Sequence, residues 1–146
     1  MAVKIPLVLT NGEIEQLQSG DTIPGSSGGI GNFIFGLKRS SGVATGKLGG
    51  YWTCPFAGTI TAWNISVDTG TITVKIWKIA TGTAHPTSAD SINTSGISLS
   101  SNTSIHSTDT TDFTTTTVSI GDIFAAEITA VSSVLDFGGS IEITKT

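Results

Sequence analysis

An all-β fold, an antiparallel β-sandwich of jelly-roll type with an extended N-terminal arm, is what the sequence predicts, on three observations. Apolar and polar residues alternate over short runs, the period of a strand with one buried face. No stretch of useful length carries the helical period. Gly, Asn, Asp and Ser punctuate the runs at short intervals, as turns do in sandwiches and barrels. At 146 residues the chain is long enough for one domain with a real core. Charged residues are only 12%, against a usual share of about a quarter, while hydrophobic residues reach 38%. The apolar runs therefore favour folding over disorder, and Ser and Thr supply the missing polarity. Such a hydroxyl-rich surface fits secreted or particle-surface β proteins.

The chain divides into an arm, residues 1–41, and a sandwich, residues 42–146. The arm opens on the apolar stretch Val3–Leu9 and continues as a polar linker through Thr22. The run 24–29 (PGSSGG) is flexible by composition and reads as a hinge. Ile30, Phe33, Ile34, Phe35 and Leu37 are too apolar to remain in water, so they must dock on the domain or on a neighbour.

In the sandwich, residues 51–58 (YWTCPFAG) read as a strand entering a turn. Thr59–Asp68 is a strand with Trp63, Ile65 and Val67 on one face. Asp68-Thr69-Gly70 is a tight turn, and Thr71–Ile79 places Ile72, Val74 and Ile76 opposite Thr73, Lys75 and Trp77. These two strands are expected to form a hairpin. Ala80–Asp112 reads as loops with one or two short strands. Thr114–Ile120 is a Thr-rich strand and Gly121-Asp122 a turn. Ile123–Val131 alternates with Phe124, Ala126 and Ile128 inward, Ser132-Ser133 breaks it, and Ser140–Thr144 closes the fold.

Chemistry is hard to find. Cys54 is the one cysteine, so no intrachain disulfide forms, and its neighbours Trp52, Pro55 and Phe56 suit a buried thiol. His85 and His106 read as loop histidines, with no nucleophile–base pattern and no zinc spacing. Six of the eleven acidic residues, Asp21, Asp68, Asp90, Asp109, Asp112 and Asp122, sit in turns, where Asp usually caps backbone. Asp109 and Asp112 would be calcium ligands only with help from loop carbonyls. Glu127 and Glu142 are the only strand carboxylates a hydrolase would pair. Neither catalytic residues, nor a metal site, nor a cofactor is expected. Asn64, Asn93 and Asn102 begin Asn-x-Ser sequons of the kind a Ser-rich chain contains by chance.

The formal net charge is −4, and Lys38, Arg39 and Lys47 are the only loose basic group, too few for nucleic acid. No run approaches the roughly 18 apolar residues that span a membrane, and Met1–Leu9 lacks the features of a secretory signal. Activity outside a cell is therefore expected to follow release by another route, such as lysis.

Two residue sets stand out for binding. Ile5, Leu7 and Leu9 of the arm, with Phe33 and Phe35, are candidates for assembly, because an apolar strip on a flexible arm cannot bury itself. It would pair as an added strand or wind with copies from neighbours. Tyr51, Trp52 and Trp77 are candidates for stacking on a sugar. Trp77, opposite its strand's apolar face, reads first as a contact for the arm (through Phe33 or Phe35) or a subunit, with core and ligand stacking as the alternatives.

Two segments resemble tailed-bacteriophage virion proteins. Ile5–Ile23 (IPLVLTNGEIEQLQSGDTI) resembles a connector that recurs in such proteins, tail fibres included. Phe56–Asp68 (FAGTITAWNISVD) with Gly70–Lys78 (GTITVKIWK) resembles a β-sandwich module of phage structural proteins in which a later Gly-Asp turn, here Gly121-Asp122, opens the closing strands. The resemblance implies a non-enzymatic virion protein at a fibre, tail or capsid-surface position. It implies partners among its own copies, a trimer by analogy with fibres and spikes, and among other virion proteins. The arm would anchor and the sandwich project. The alternative function is a carbohydrate-binding or adhesin module that recognises a host-surface glycan.

Overall fold

The computed structural model describes residues 28–82, 84–100 and 103–146 in full and, ahead of them, the pairing of two short strands. The strands are β1 (Leu7–Thr10), β2 (Glu13–Gln16), β3 (Ile30–Lys38), β4 (Gly46–Thr53), β5 (Gly58–Val67), β6 (Thr71–Ile79), β7 (Ile97–Ser100), β8 (Ser104–Ser107), β9 (Thr117–Val118), β10 (Ile123–Ser132) and β11 (Asp136–Lys145). β1 and β2 form a sheet of their own, with Leu7 opposite Gln16.

The other nine strands make the predicted all-β sandwich. One sheet runs β4-β10-β6-β7; the second runs β3-β11-β5-β8, with β9 also on β5. Every pairing is antiparallel: β3 with β11, β4 with β10, β5 with β8 and β9, β6 with β7. These pairs are the rungs of one long two-stranded ribbon. Rolling it brings β11 onto β5 and β10 onto β6, which is the jelly-roll topology.

Alternation puts one face of each strand inside. Ile60, Ile65, Ile72, Val74, Ile76, Phe124, Ile128, Ile141 and Ile143 are all within the core cluster and almost fully buried. Removing such surfaces from water, at about 25 cal/mol per Å², is the main force holding the sheets together.

Three expectations need correction. β5 and β6 are strands as read, but they are not a hairpin; they lie in different sheets. Each has a fully apolar face, and facing across the core buries both, which in-plane pairing would not. The Asp68–Gly70 turn is thus an arch between layers: Asp68 Oδ1 accepts from the amides of Thr69 (2.7 Å) and Leu135 (3.2 Å), and Gly70 takes φ +70°. The arm does not extend to residue 41, because β3 is a sandwich strand paired with β11 along its whole length. Finally, the Thr-rich strand expected at Thr114–Ile120 shrinks to the two residues of β9.

Candidate assembly interface

β3 is the region where the sandwich stops without a neighbour. It stands last in its sheet, so one side of its backbone has no partner strand among the described residues. Its nine residues pair with β11 in continuous register, from Ile30 opposite Thr144 to Lys38 opposite Asp136, without a bulge. Two glycines make this fit possible. A Cβ on Gly36 would lie 2.8 Å from the Phe137 carbonyl, and one on Gly139 would lie 2.7 Å from the Phe35 ring.

Both faces of β3 carry large apolar residues, and those of only one are buried. Phe33 and Phe35 turn inward, 5% and 7% exposed, and Phe33 lies 5.6 Å from both the Trp52 and Phe124 rings. Ile30 and Ile34 turn outward, 60% and 76% exposed. The assembly role expected of Phe33 and Phe35 is therefore corrected: they are core residues, and the exposed apolar residues of the strand are Ile30 and Ile34. Of the expected arm contacts, Leu7 and Leu9 fall on β1, while Ile5 lies outside the described residues.

Across the open side from β3 lies β4, also an edge strand. Between them is a groove of about 310 Å³, whose lining includes Phe33, Ile34, Phe35, Leu48 and Ala126. β4 is unlike β3. Its register with β10 slips between Phe124 and Ala126, Gly46 and Gly49 take φ +128° and +50°, and Lys47 stands on it. Irregularity and charge are the usual means by which an edge resists pairing. β3 has neither until Lys38 at its end, where the ammonium lies 3.4 Å from Asp136.

The opposite side of the sandwich is more fully covered, with a smaller groove of about 230 Å³ left beside Trp63, Ile97 and Phe113. Its edge strands β7 and β8 have four residues each. The 108–113 loop lies over part of the opening. There the Trp63 indole donates to the Asp109 carbonyl (2.8 Å), Asp112 accepts from the amides of Ser95 and Gly96 (2.8 and 3.1 Å), and Phe113 is buried. Asn93, fully buried, accepts from the Ile76 amide (2.7 Å) and donates to the Val74 carbonyl (3.2 Å).

The stacking candidates divide. Trp77 is 7% exposed, and Ser91 bridges it while the Ser88–Asp90 turn lies against β6. It faces away from Ile76 as read, yet the chain itself covers it. Its indole N–H is buried without a partner among the described residues. Trp52 packs on Phe33, Phe56 and Phe124. Tyr51 alone is exposed, and His85 already stacks on it at 4.2 Å and 6°, with the Lys47 ammonium 4.3 Å from the ring.

The remaining chemistry-bearing groups have structural partners. Cys54 is fully buried, its thiol donating to the Phe56 carbonyl (3.1 Å), and burial pushes its pKa up. Lys78 and Asp122 form a buried pair at 2.9 Å beside the Gly121-Asp122 turn. Asp109 accepts from the Thr111 hydroxyl (2.7 Å) and amide (2.9 Å), which hold its carboxyl below the ordinary value. Glu142 accepts from Asn64 (2.6 Å) and lies 3.3 Å from His106, on the outer face of its sheet. Glu127 belongs to the other sheet, between Lys47 and Lys75 in register, so the two strand carboxylates do not converge. Among the described residues no group of three or more His, Cys, Asp or Glu is placed to hold a metal, and no helix is long and apolar enough to cross a membrane.

No protein-family model matches the chain, and no curated protein or solved structure matches it.

Proposed function

We propose that this chain is a structural subunit whose work is assembly, a homo-oligomeric building block of a virion. The observation that carries the assembly reading is the β3 edge, a long, regular, nearly uncharged strand with Ile30 and Ile34 bare beside an apolar groove. Such an edge is a template for pairing, and soluble proteins ordinarily blunt or cover it. The virion setting is supported by the sequence resemblance of Ile5–Ile23 and Phe56–Lys78 and by the jelly-roll topology, an architecture frequent in viral capsid domains. That support is analogy of fold and context.

The glycan-binding alternative is weakened by the burial of Trp77 and the packing of Trp52, which leave Tyr51 as its platform. Light scattering on the size-fractionated full chain tests the assembly reading: a defined multiple of the 14.9 kDa protomer is expected. A monomer at every attainable concentration would overturn it.

A further inference from the structure

We infer that β3 pairs antiparallel with β3 of a second copy, about a two-fold axis through Ile34. The inference rests on the assembly reading and names its surface, partner and register.

The choice of partner follows from the strand itself. Ile34 is the midpoint of Ile30–Lys38, so a two-fold there pairs all nine residues. Ile34 then lies opposite the partner's Ile34 on the outer face. Phe33 lies opposite the partner's Phe35, which continues the inner face and roofs the groove. Asn32 falls opposite the partner's Gly36, where there is no side chain to oppose it. Ile30 falls opposite the partner's Lys38, whose methylene stem covers it while the ammonium reaches water.

Other registers are worse. A one-residue slip pairs inward with outward residues and breaks both faces. A two-residue slip leaves two residues of each strand unpaired. Parallel pairing in register would place Lys38 beside the partner's Lys38, and like charges directly opposite repel. The antiparallel two-fold puts no like charges in opposition along β3. It also satisfies the free backbone edge of both copies, the main source of affinity in strand addition. The contact is isologous, so it closes on itself as a pair and does not propagate.

Engineered cysteines on the full chain test the register. Residues directly opposite in an antiparallel pair have Cα atoms about 4.5–5.5 Å apart, within the about 4.4–6.8 Å that a disulfide spans. Ile34→Cys is expected to give a disulfide-linked dimer under mild oxidation. Asn32→Cys, opposite Gly36 in the pair, and Ile120→Cys, 67% exposed but off the strand, are expected to stay monomeric on denaturing gels. Cys54 is fully buried and does not compete. Ile34→Lys places two ammonium groups face to face and should weaken self-association by at least about tenfold. Because residue 34 is exposed, the thermal unfolding of the protomer should hold.

Equal cross-linking of all three cysteine variants, or none with Ile34→Cys, would overturn the proposal. So would an oligomer unchanged in mass by Ile34→Lys. In that last case the assembly reading survives and its contact lies elsewhere. A full chain that is monomeric throughout, with β3 covered by its own N-terminal segment, sinks both.

Discussion

The two sides of the sandwich where sheet meets sheet solve the same problem differently. At the β7/β8 side the strands are short, a loop lies over part of the opening, and side chains of Asn93 and Asp112 hold backbone groups the strands leave over. At the β3/β4 side the strands are long, the groove is apolar, and nothing among the described residues covers it. The first side is largely covered by the chain's own loop and polar groups, with only a smaller groove left beside Trp63 and Phe113. The second is complete in its core but not at its backbone edge. An edge strand is therefore informative for the protection it lacks: β4 carries a bulge, two positive-φ glycines and Lys47, while β3, its neighbour across the groove, carries none of these before Lys38.

The largest expected effect separates core from contact on β3 itself. Phe33→Ala removes a ring packed against Phe35, Trp52 and Phe124 and should cost about 3–5 kcal/mol, read from the urea midpoint. Ile34→Lys, one residue away, should leave that midpoint within about 0.5 kcal/mol of the parent when both are read at a concentration where they are monomeric. Equal destabilisation by both would show that the outward face of β3 is not free.

The more covered side is probed by Asn93→Ala. It strands the Ile76 amide and the Val74 carbonyl in the interior, each at about 1–3 kcal/mol, so a loss of about 3 kcal/mol is expected. A change below about 1 kcal/mol would mean that water or a shifted backbone replaces the side chain, and that this side is less tightly held than described.

Acid is expected to act on the arches that join the layers. Desolvation raises the Asp68 carboxyl, but hydrogen bonds from the backbone of Asp136, Leu135 and Thr69 outweigh it and hold the pKa below the ordinary value. A carboxyl depressed in the fold contributes stability above its unfolded pKa of about 3.9, and that contribution is lost as pH falls through the folded value. Thermal stability should therefore decline on acidification below about pH 4, and less steeply in Asp68→Asn. A parallel decline in both proteins would assign the effect to other carboxylates.

The smallest effect concerns Trp77. Its buried indole N–H has no partner among the described residues, so Trp77→Phe is expected to give up packing but no hydrogen bond. A change in melting temperature of no more than a few degrees is expected. A large loss would reveal a partner for that nitrogen.

Much of this architecture is legible in the sequence, and the reasons for the rest are specific. Alternation identifies β5, β6, β10 and β11 because each has one apolar face, and Phe124, Ala126 and Ile128 prove buried as their spacing requires. Alternation does not tell which sheet a strand joins, so the β5–β6 arch reads as a hairpin: a short Asp-Thr-Gly connection suits either. The pairing of β1 with β2 had a sequence signal in Asn11-Gly12, a dipeptide typical of two-residue hairpins. β3 defeats the pattern in another way. Ile30, Phe33, Ile34 and Phe35 put large apolar residues on both of its faces, and only the position of Phe35 over Gly139 and of Phe33 against Trp52 decides which face is core. The exposed isoleucines follow from that choice. Trp77 is outward by alternation and yet covered, because a sheet's outer face is open only where no connecting segment crosses it.

Hydrogen exchange of the β3 backbone amides in the full chain, followed as protein concentration rises, tests the central claim most directly. A partnered edge predicts that the outward-pointing amides between Ile30 and Lys38 become protected as concentration increases, while those of β7 and β8 do not change. Fast exchange of the β3 edge at every concentration would contradict it.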